Sequence, residues 1–239
     1  MIRAAHIKEA NNLRDSGSLP IAVIDSGCVS AYRAKLGELC TYTDFIGTEP
    51  KSVHGTIVLD IIRNFLPRGM FHIYRVLNDE NEGNARDFLN ALRKALLAGC
   101  RVLNISLGTR EKQVAAPLRE IAEHCKAEGI FFVCSMPEEE SYPGYLPEAI
   151  RVSDDLTPLA PGSVVEPDFR VRTPFMALYS CSDFKGGEDS PSYAAAFVSG
   201  LLALLSVNYP DESREWIVEK AKEITRWSNA ALEDLMRRY

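Results

Sequence analysis

Apolar residues along this chain gather in two patterns. Brief runs rich in β-branched and aromatic residues, at Ile21–Ile24, Phe71–Val76, Val102–Ser106 and Ile130–Cys134, suit strands covered on both faces. Between them, apolar positions recur at helical spacing over Gly55–Phe65, Ala85–Ala98 and Ala115–Ala127. Strand and helix in alternation predict a doubly wound α/β fold, a mostly parallel sheet flanked by helices and joined by right-handed crossovers. In such sheets ligands and chemistry gather beyond the carboxyl ends of the strands.

The pattern changes in the last third. Asp154–Asp189 is rich in Pro, Gly, Ser and Asp with only a weak strand signal, and predicts long loops and hairpins. From Ser192 to Val207 the chain is apolar on nearly every helical face, which predicts a central, buried helix. The tail after Pro210 is amphipathic and predicts two covering helices. The organisation expected is one compact domain: an N-terminal extension over 1–18, a main unit over 19–209 and covering helices over 210–239.

Composition narrows the function. A chain of 239 residues, 46% hydrophobic and 25% charged, can bury one full core. The net charge of −6, with no clustered basic stretch, argues against a nucleic-acid partner. The apolar runs are too short or too mixed for a bilayer span, and the first residues are polar and charged where an export signal needs an apolar stretch. Cys28, Cys40, Cys100, Cys125, Cys134 and Cys181 show neither C-x-x-C pairs nor His-rich spacing, so no metal site is expected. Reduced thiols and a cytoplasmic location are the simplest expectation.

Three short motifs place reactive side chains where a strand ends or a helix begins. IAVIDSGC ends an apolar strand in Asp25, HGTIVLDII opens a helix with His54, and SPSYAAAFVSGLLALL starts the long helix at Ser192. Each alone has a plain structural reading. Asp25 could serve a turn, His54 could be incidental, and Ser192 or Ser190 could simply cap the helix. Together, an Asp, a His and a Ser in this order match one known arrangement of a nucleophilic triad.

The three motifs resemble those of the subtilisin-like serine proteases. In that family a strand ends in D-[ST]-G, a helix opens with H-G-T and the nucleophile lies in G-T-S-M-A-A-P. Here the equivalents are Asp25-Ser26-Gly27, His54-Gly55-Thr56 and Ser190-Pro191-Ser192-Tyr193-Ala194-Ala195-Ala196. Ile73–Gly108 is similar to the family's strand, helix and N-x-S-L-G segment, and YPGYLPEAIRVSD resembles a later stretch, so the likeness spans roughly Leu19 to Tyr209.

The resemblance implies a serine endopeptidase acting on a peptide or protein substrate, of restricted specificity, such as one that matures a peptide or partner protein. It implies Ser192 as nucleophile, His54 as general base and Asp25 as its orienter. It also implies that Ser106, Leu107 and Gly108 pair through the main chain with an extended substrate. No cofactor is implied. Many members bind calcium in surface loops, and no loop here is assignable to that role.

The match breaks at the oxyanion hole. Where the family carries a side-chain Asn, Pro137 aligns, and Pro191 replaces the Thr before the nucleophile. The Ser192 N–H and a substitute such as Ser135 are the donors expected to remain. The acidic run Glu138–Glu140 could select a basic substrate residue, although a solvated face is the plainer reading. Cys28 is expected to be a buried, inert thiol. The rival function is a pseudoprotease that binds peptides or partners with an impaired oxyanion hole. An esterase of the α/β-hydrolase type is disfavoured, since neither its G-x-S-x-G motif nor its residue order is present.

Overall fold

The computed structural model describes residues 4–14, 17–136, 140–154, 165–171 and 190–236. Seven strands form one sheet: β1 Pro20–Asp25, β2 Cys40–Asp44, β3 Met70–Arg75, β4 Val102–Ile105, β5 Phe131–Ser135, β6 Ile150–Asp154 and β7 Phe169–Val171. Their order is β2-β3-β1-β4-β5-β6-β7 and every pairing is parallel. The helices are α1 Ala4–Ala10, α2 Ser30–Leu36, α3 His54–Phe65, α4 Ala85–Leu97, α5 Ala115–Ala127, α6 Pro191–Asn208 and α7 Arg214–Met236.

Strand alternation divides the core in two. In β1, Ile21 and Val23 point into a cluster with α1, α2, α3, α6 and α7, whereas Ala22 and Ile24 point into a cluster with α4 and α5. Helices therefore cover both faces, the doubly wound α/β architecture expected from the alternation. The chain leaves β1 toward β2 and β3 on one side and later returns to β4 on the other, so the order of strands reverses at the β1/β4 boundary.

At 18 residues α6 is apolar enough to cross a membrane by length and composition, a test that a core helix also passes, and here Tyr193–Leu205 are buried without a break. Its close approach to α3 depends on Gly200, where a Cβ would lie 2.7 Å from the Phe65 ring.

Several expectations need correction. The tail is one helix, α7, because no Pro or Gly interrupts it and Ile217, Ala221, Ile224 and Ser228 form a single buried stripe at helical spacing. The stretch 1–18 contains α1, whose Ile7 is fully buried, and Arg14 exchanges two 2.8 Å hydrogen bonds with Asn208 at the end of α6. Strands β2, β6 and β7 are additional. β2 (CTYTD) is a half-exposed edge strand without an apolar run, and β7 lies inside the stretch expected to be loops.

Candidate active site

Asp25 closes β1 with its side chain fully buried. Its Oδ1 accepts from the Ser26 N–H at 2.6 Å, the Ser26 hydroxyl at 3.0 Å and the His54 Nδ1–H at 2.8 Å. Among the described residues Oδ2 is buried with no hydrogen-bond partner, so the polar contacts of the carboxylate gather on Oδ1, where Ser26 and His54 share them. His54, the first residue of α3, comes this close because residue 55 is glycine: a Cβ there would sit 2.1 Å from the Gly27 carbonyl oxygen. The Ser26 and Ser52 hydroxyls, 3.4 Å apart, accept from the N–H groups of Gly55 and His54 respectively.

A position at a helix N-terminus would by itself favour neutral imidazole. Here the Asp25 carboxylate dominates and raises the His54 pKa above its ordinary 6.5, against the opposing effect of burial. Because Nδ1 donates to Asp25, Nε2 carries the free lone pair of the neutral ring.

The loop before His54 is anchored from β3. Arg75, fully buried at the end of that strand, donates to the Thr48 carbonyl oxygen and lies 3.5 Å from Asp79 Oδ1. Asp79 in turn accepts from the N–H groups of Lys51 at 2.8 Å and Ser52 at 3.0 Å, bonds that lower its pKa. Nothing in the sequence singles out this pair, since an Arg at a strand end and an Asp in a loop are ordinary residues there.

Ser192 lies in the first turn of α6. Of the two serines that could have capped this helix, Ser190 does so: its hydroxyl accepts the Ser192 N–H at 3.1 Å, with Pro191 in the first turn where a missing N–H costs nothing. The N–H expected to serve the oxyanion therefore already has a partner. The Ser192 hydroxyl donates to the Ser106 carbonyl oxygen at 3.4 Å, and the Ser106 hydroxyl donates to the Ser192 carbonyl oxygen at 3.4 Å. Among the described residues Ser192 makes no hydrogen bond to His54. The two are nevertheless neighbours, for the ring of Tyr193 stacks on the imidazole with centroids 5.6 Å apart.

Ser106 follows β4 and is held from below. Buried Asn104 donates to its hydroxyl at 2.9 Å and accepts from Ser199 of α6, also at 2.9 Å. The sequence signal for Asn104 was a polar residue in the middle of an apolar strand. Tyr193 stands where the subtilisin-like motif G-T-S-M-A-A-P has Met.

Past Ser106, Leu107 and Gly108 border a cleft of about 430 Å³ whose walls include Val76, Phe88 and the carboxylate-bearing Glu82 and Glu111. Thr109 already pairs with Tyr142 in an antiparallel bridge, which limits any added strand to the residues before it. Ser135 ends β5, the next strand out, buried and without a bond to Ser192. Beside Gly108, the buried Ser141 hydroxyl has no hydrogen-bond partner among the described residues.

Pro137, Glu138, Glu139 and Cys181 lie outside the described residues. Glu140 accepts from the Tyr142 hydroxyl at 3.1 Å. Cys28, close to Asp25 in sequence, is buried, and burial pushes its thiol up to about 12, which leaves it unreactive as expected. Among the described residues no three His, Cys, Asp or Glu side chains gather as a metal site.

Comparison with known proteins gives one kind of match. No family model matches the chain, and no curated protein sequence matches it. Among solved structures, a crystal structure of a lanthipeptide protease superposes with a TM-score of 0.64 at 17% identity, covering 91% of this chain and 84% of that one. At this identity the likeness is one of fold: the chain has a protease-like α/β fold.

Proposed function

We propose that this chain is a serine endopeptidase of the subtilisin type that hydrolyses peptide bonds through an acyl-enzyme. The observation that carries the proposal is the 2.8 Å pairing of buried Asp25 with His54, with Ser192 on the adjoining helix at the point where the strand order reverses. The fold shared with a lanthipeptide protease supports a peptide-processing role, such as maturation of a peptide or partner protein.

In the reaction Ser192 turns from the Ser106 carbonyl toward His54. His54 Nε2 takes the hydroxyl proton as Oγ bonds to the scissile carbonyl carbon, and returns it to the amine as the carbon–nitrogen bond breaks. Water, deprotonated by the same nitrogen, then releases the acyl group. Asp25 holds the ring and balances the imidazolium charge. The substrate lies extended against Ser106, Leu107 and Gly108, with a side chain reaching the neighbouring cleft. Ser135 at the end of β5 is the candidate side-chain donor for the oxyanion. No cofactor takes part. The five described cysteines are free, which supports a cytoplasmic setting.

The second reading, a binding pseudoprotease, is favoured by one observation: the Ser192 N–H is capped by Ser190 and the hydroxyl faces Ser106. A fluorophosphonate decides between them. A peptidase is labelled at Ser192, loses labelling in Ser192→Ala and His54→Ala, and cleaves a peptide library at defined positions. Absence of both labelling and cleavage leaves the pseudoprotease, whose partner binding survives Ser192→Ala.

A further inference from the structure

The best-defined contact of His54, apart from Asp25, is one that the triad chemistry does not require. Tyr193 follows Ser192 directly in α6, and its ring lies nearly parallel to the imidazole, 26° between planes and 5.6 Å between centroids. The tyrosine is buried at 7% exposure, while the His54 side chain it stacks on stays 29% exposed. Where the related proteases carry a flexible Met after the nucleophile, this chain carries a flat, rigid aromatic ring.

We propose that Tyr193 is a positioning residue for the general base: its ring face fixes the plane of the His54 imidazole and stabilises the imidazolium formed during acyl transfer. The inference rests on the assignment of Asp25, His54 and Ser192 as a triad.

Two constraints are needed to aim Nε2. The bond to Asp25 fixes the position of Nδ1 but leaves the ring free to rock about that contact. A stacked ring removes the rocking. Because Ser192 and Tyr193 share the first turn of α6, any shift of that helix carries the nucleophile and the ring together, which preserves their relation to His54. An aromatic face within about 6 Å of a cation also attracts it, more strongly where water is excluded.

Among the described residues, the groups facing the imidazole are few. Asp25 of β1 supplies a charge at Nδ1 and α6 supplies the Tyr193 ring, while the Ser52 and Ser26 hydroxyls accept from the backbone N–H groups of His54 and Gly55 and not from the ring. The tyrosine is itself neutral at working pH, since burial and the nearby Asp25 both raise its pKa. The ring thus acts through its face and not as a second titrating group.

The test uses the full chain as wild type, Tyr193→Phe and Tyr193→Leu. Leucine keeps the position apolar and water-excluding while removing the π face. The readouts are the His54 titration followed by NMR of the imidazole and the pH profile of the fluorophosphonate labelling rate and of kcat/KM. Tyr193→Phe is expected to match wild type within about twofold. In Tyr193→Leu the His54 midpoint falls and the plateau rate drops about tenfold with KM unchanged. If Leu fails to fold, Tyr193→Met gives the same comparison with a flexible apolar chain. A Leu or Met variant that titrates at the wild-type midpoint overturns the proposal, and so does a Phe variant as impaired as Leu. The NMR midpoint does not depend on turnover, so a wild type that neither labels nor cleaves refutes the peptidase assignment while the titration still decides the Tyr193 contact.

Discussion

The two halves of the site are built to different standards. Around Asp25 and the loop before His54 the main polar contacts are short: three donors converge on one carboxylate oxygen, and Asp79 holds the Lys51 and Ser52 N–H groups at 2.8 and 3.0 Å. Around Ser192 the side-chain contacts are long. Its hydroxyl and that of Ser106 reach across at 3.4 Å each, and its N–H is taken by Ser190. Bonds of that length contribute little, so on the proposed assignment Ser192, the nucleophile, can turn at small cost whereas His54, the base, cannot. Such a division fits an enzyme whose base is set in advance and whose nucleophile is released when substrate takes over Ser106.

The sharpest way to break this contrast is to damage the rigid half. Asp25→Asn keeps the shape but reverses the donor at Nδ1, so His54 takes the wrong tautomer. Turnover is expected to fall about 10⁴-fold. A loss of less than tenfold, measured as fluorophosphonate labelling of folded protein, would mean that His54 is not oriented by Asp25.

The support beneath Ser106 comes next in size. Asn104→Leu removes the acceptor of the buried Ser199 hydroxyl and the donor to the Ser106 hydroxyl, which keeps only its 3.4 Å bond to the Ser192 carbonyl, at about 1–3 kcal/mol for an unsatisfied group. Denaturant unfolding is expected to show a loss of about 2–4 kcal/mol, together with slower labelling of Ser192. An unchanged midpoint would show that the chain from Ser199 to Ser106 contributes nothing to holding the nucleophile.

How much of this was legible depended on whether a residue announces itself locally. The parallel strands of the centre, β1, β3, β4 and β5, are apolar on both faces and stood out from the pattern alone, as did the continuously apolar α6. Edge strand β2 alternates polar and half-buried residues and needs no such run, and β6 carries Arg151 at its second position. In the site, Asp25, His54 and Ser192 sit in recognisable motifs. Ser190 was one of two local cap candidates, whereas the bonds of Arg75 and Asp79 to the loop before His54 and the Tyr193 stack join segments distant in sequence, which periodicity cannot reveal. The helix N-terminus by itself favours a neutral His54, and Asp25, distant in sequence and adjacent in space, outweighs it.

The flexible half can be tested by gain as well as loss. Ser190→Ala removes the acceptor from the Ser192 N–H and costs about 1 kcal/mol of helix capping. The freed N–H becomes available to an oxyanion, so labelling is expected to rise about tenfold, part of the 10²–10³ that one oxyanion donor contributes. A fall in thermal midpoint with no gain in labelling would show that the cap does not compete with catalysis.

The smallest effect links the rigid half to pH. The folded-state pKa of His54 is raised above 6.5 by Asp25, so its pairing adds stability that is fully present below 6.5 and is lost as pH rises through the folded pKa. A general base must be neutral, so activity runs the other way and increases with pH through that same raised value. The pair therefore contributes most to stability where it catalyses least. Thermal midpoints of wild type and His54→Gln, followed across this range, are expected to converge as pH rises while the wild-type labelling rate climbs, with its midpoint above 6.5. Midpoints that diverge with rising pH, or a labelling midpoint below 6.5, would show that Asp25 does not hold the proton on His54.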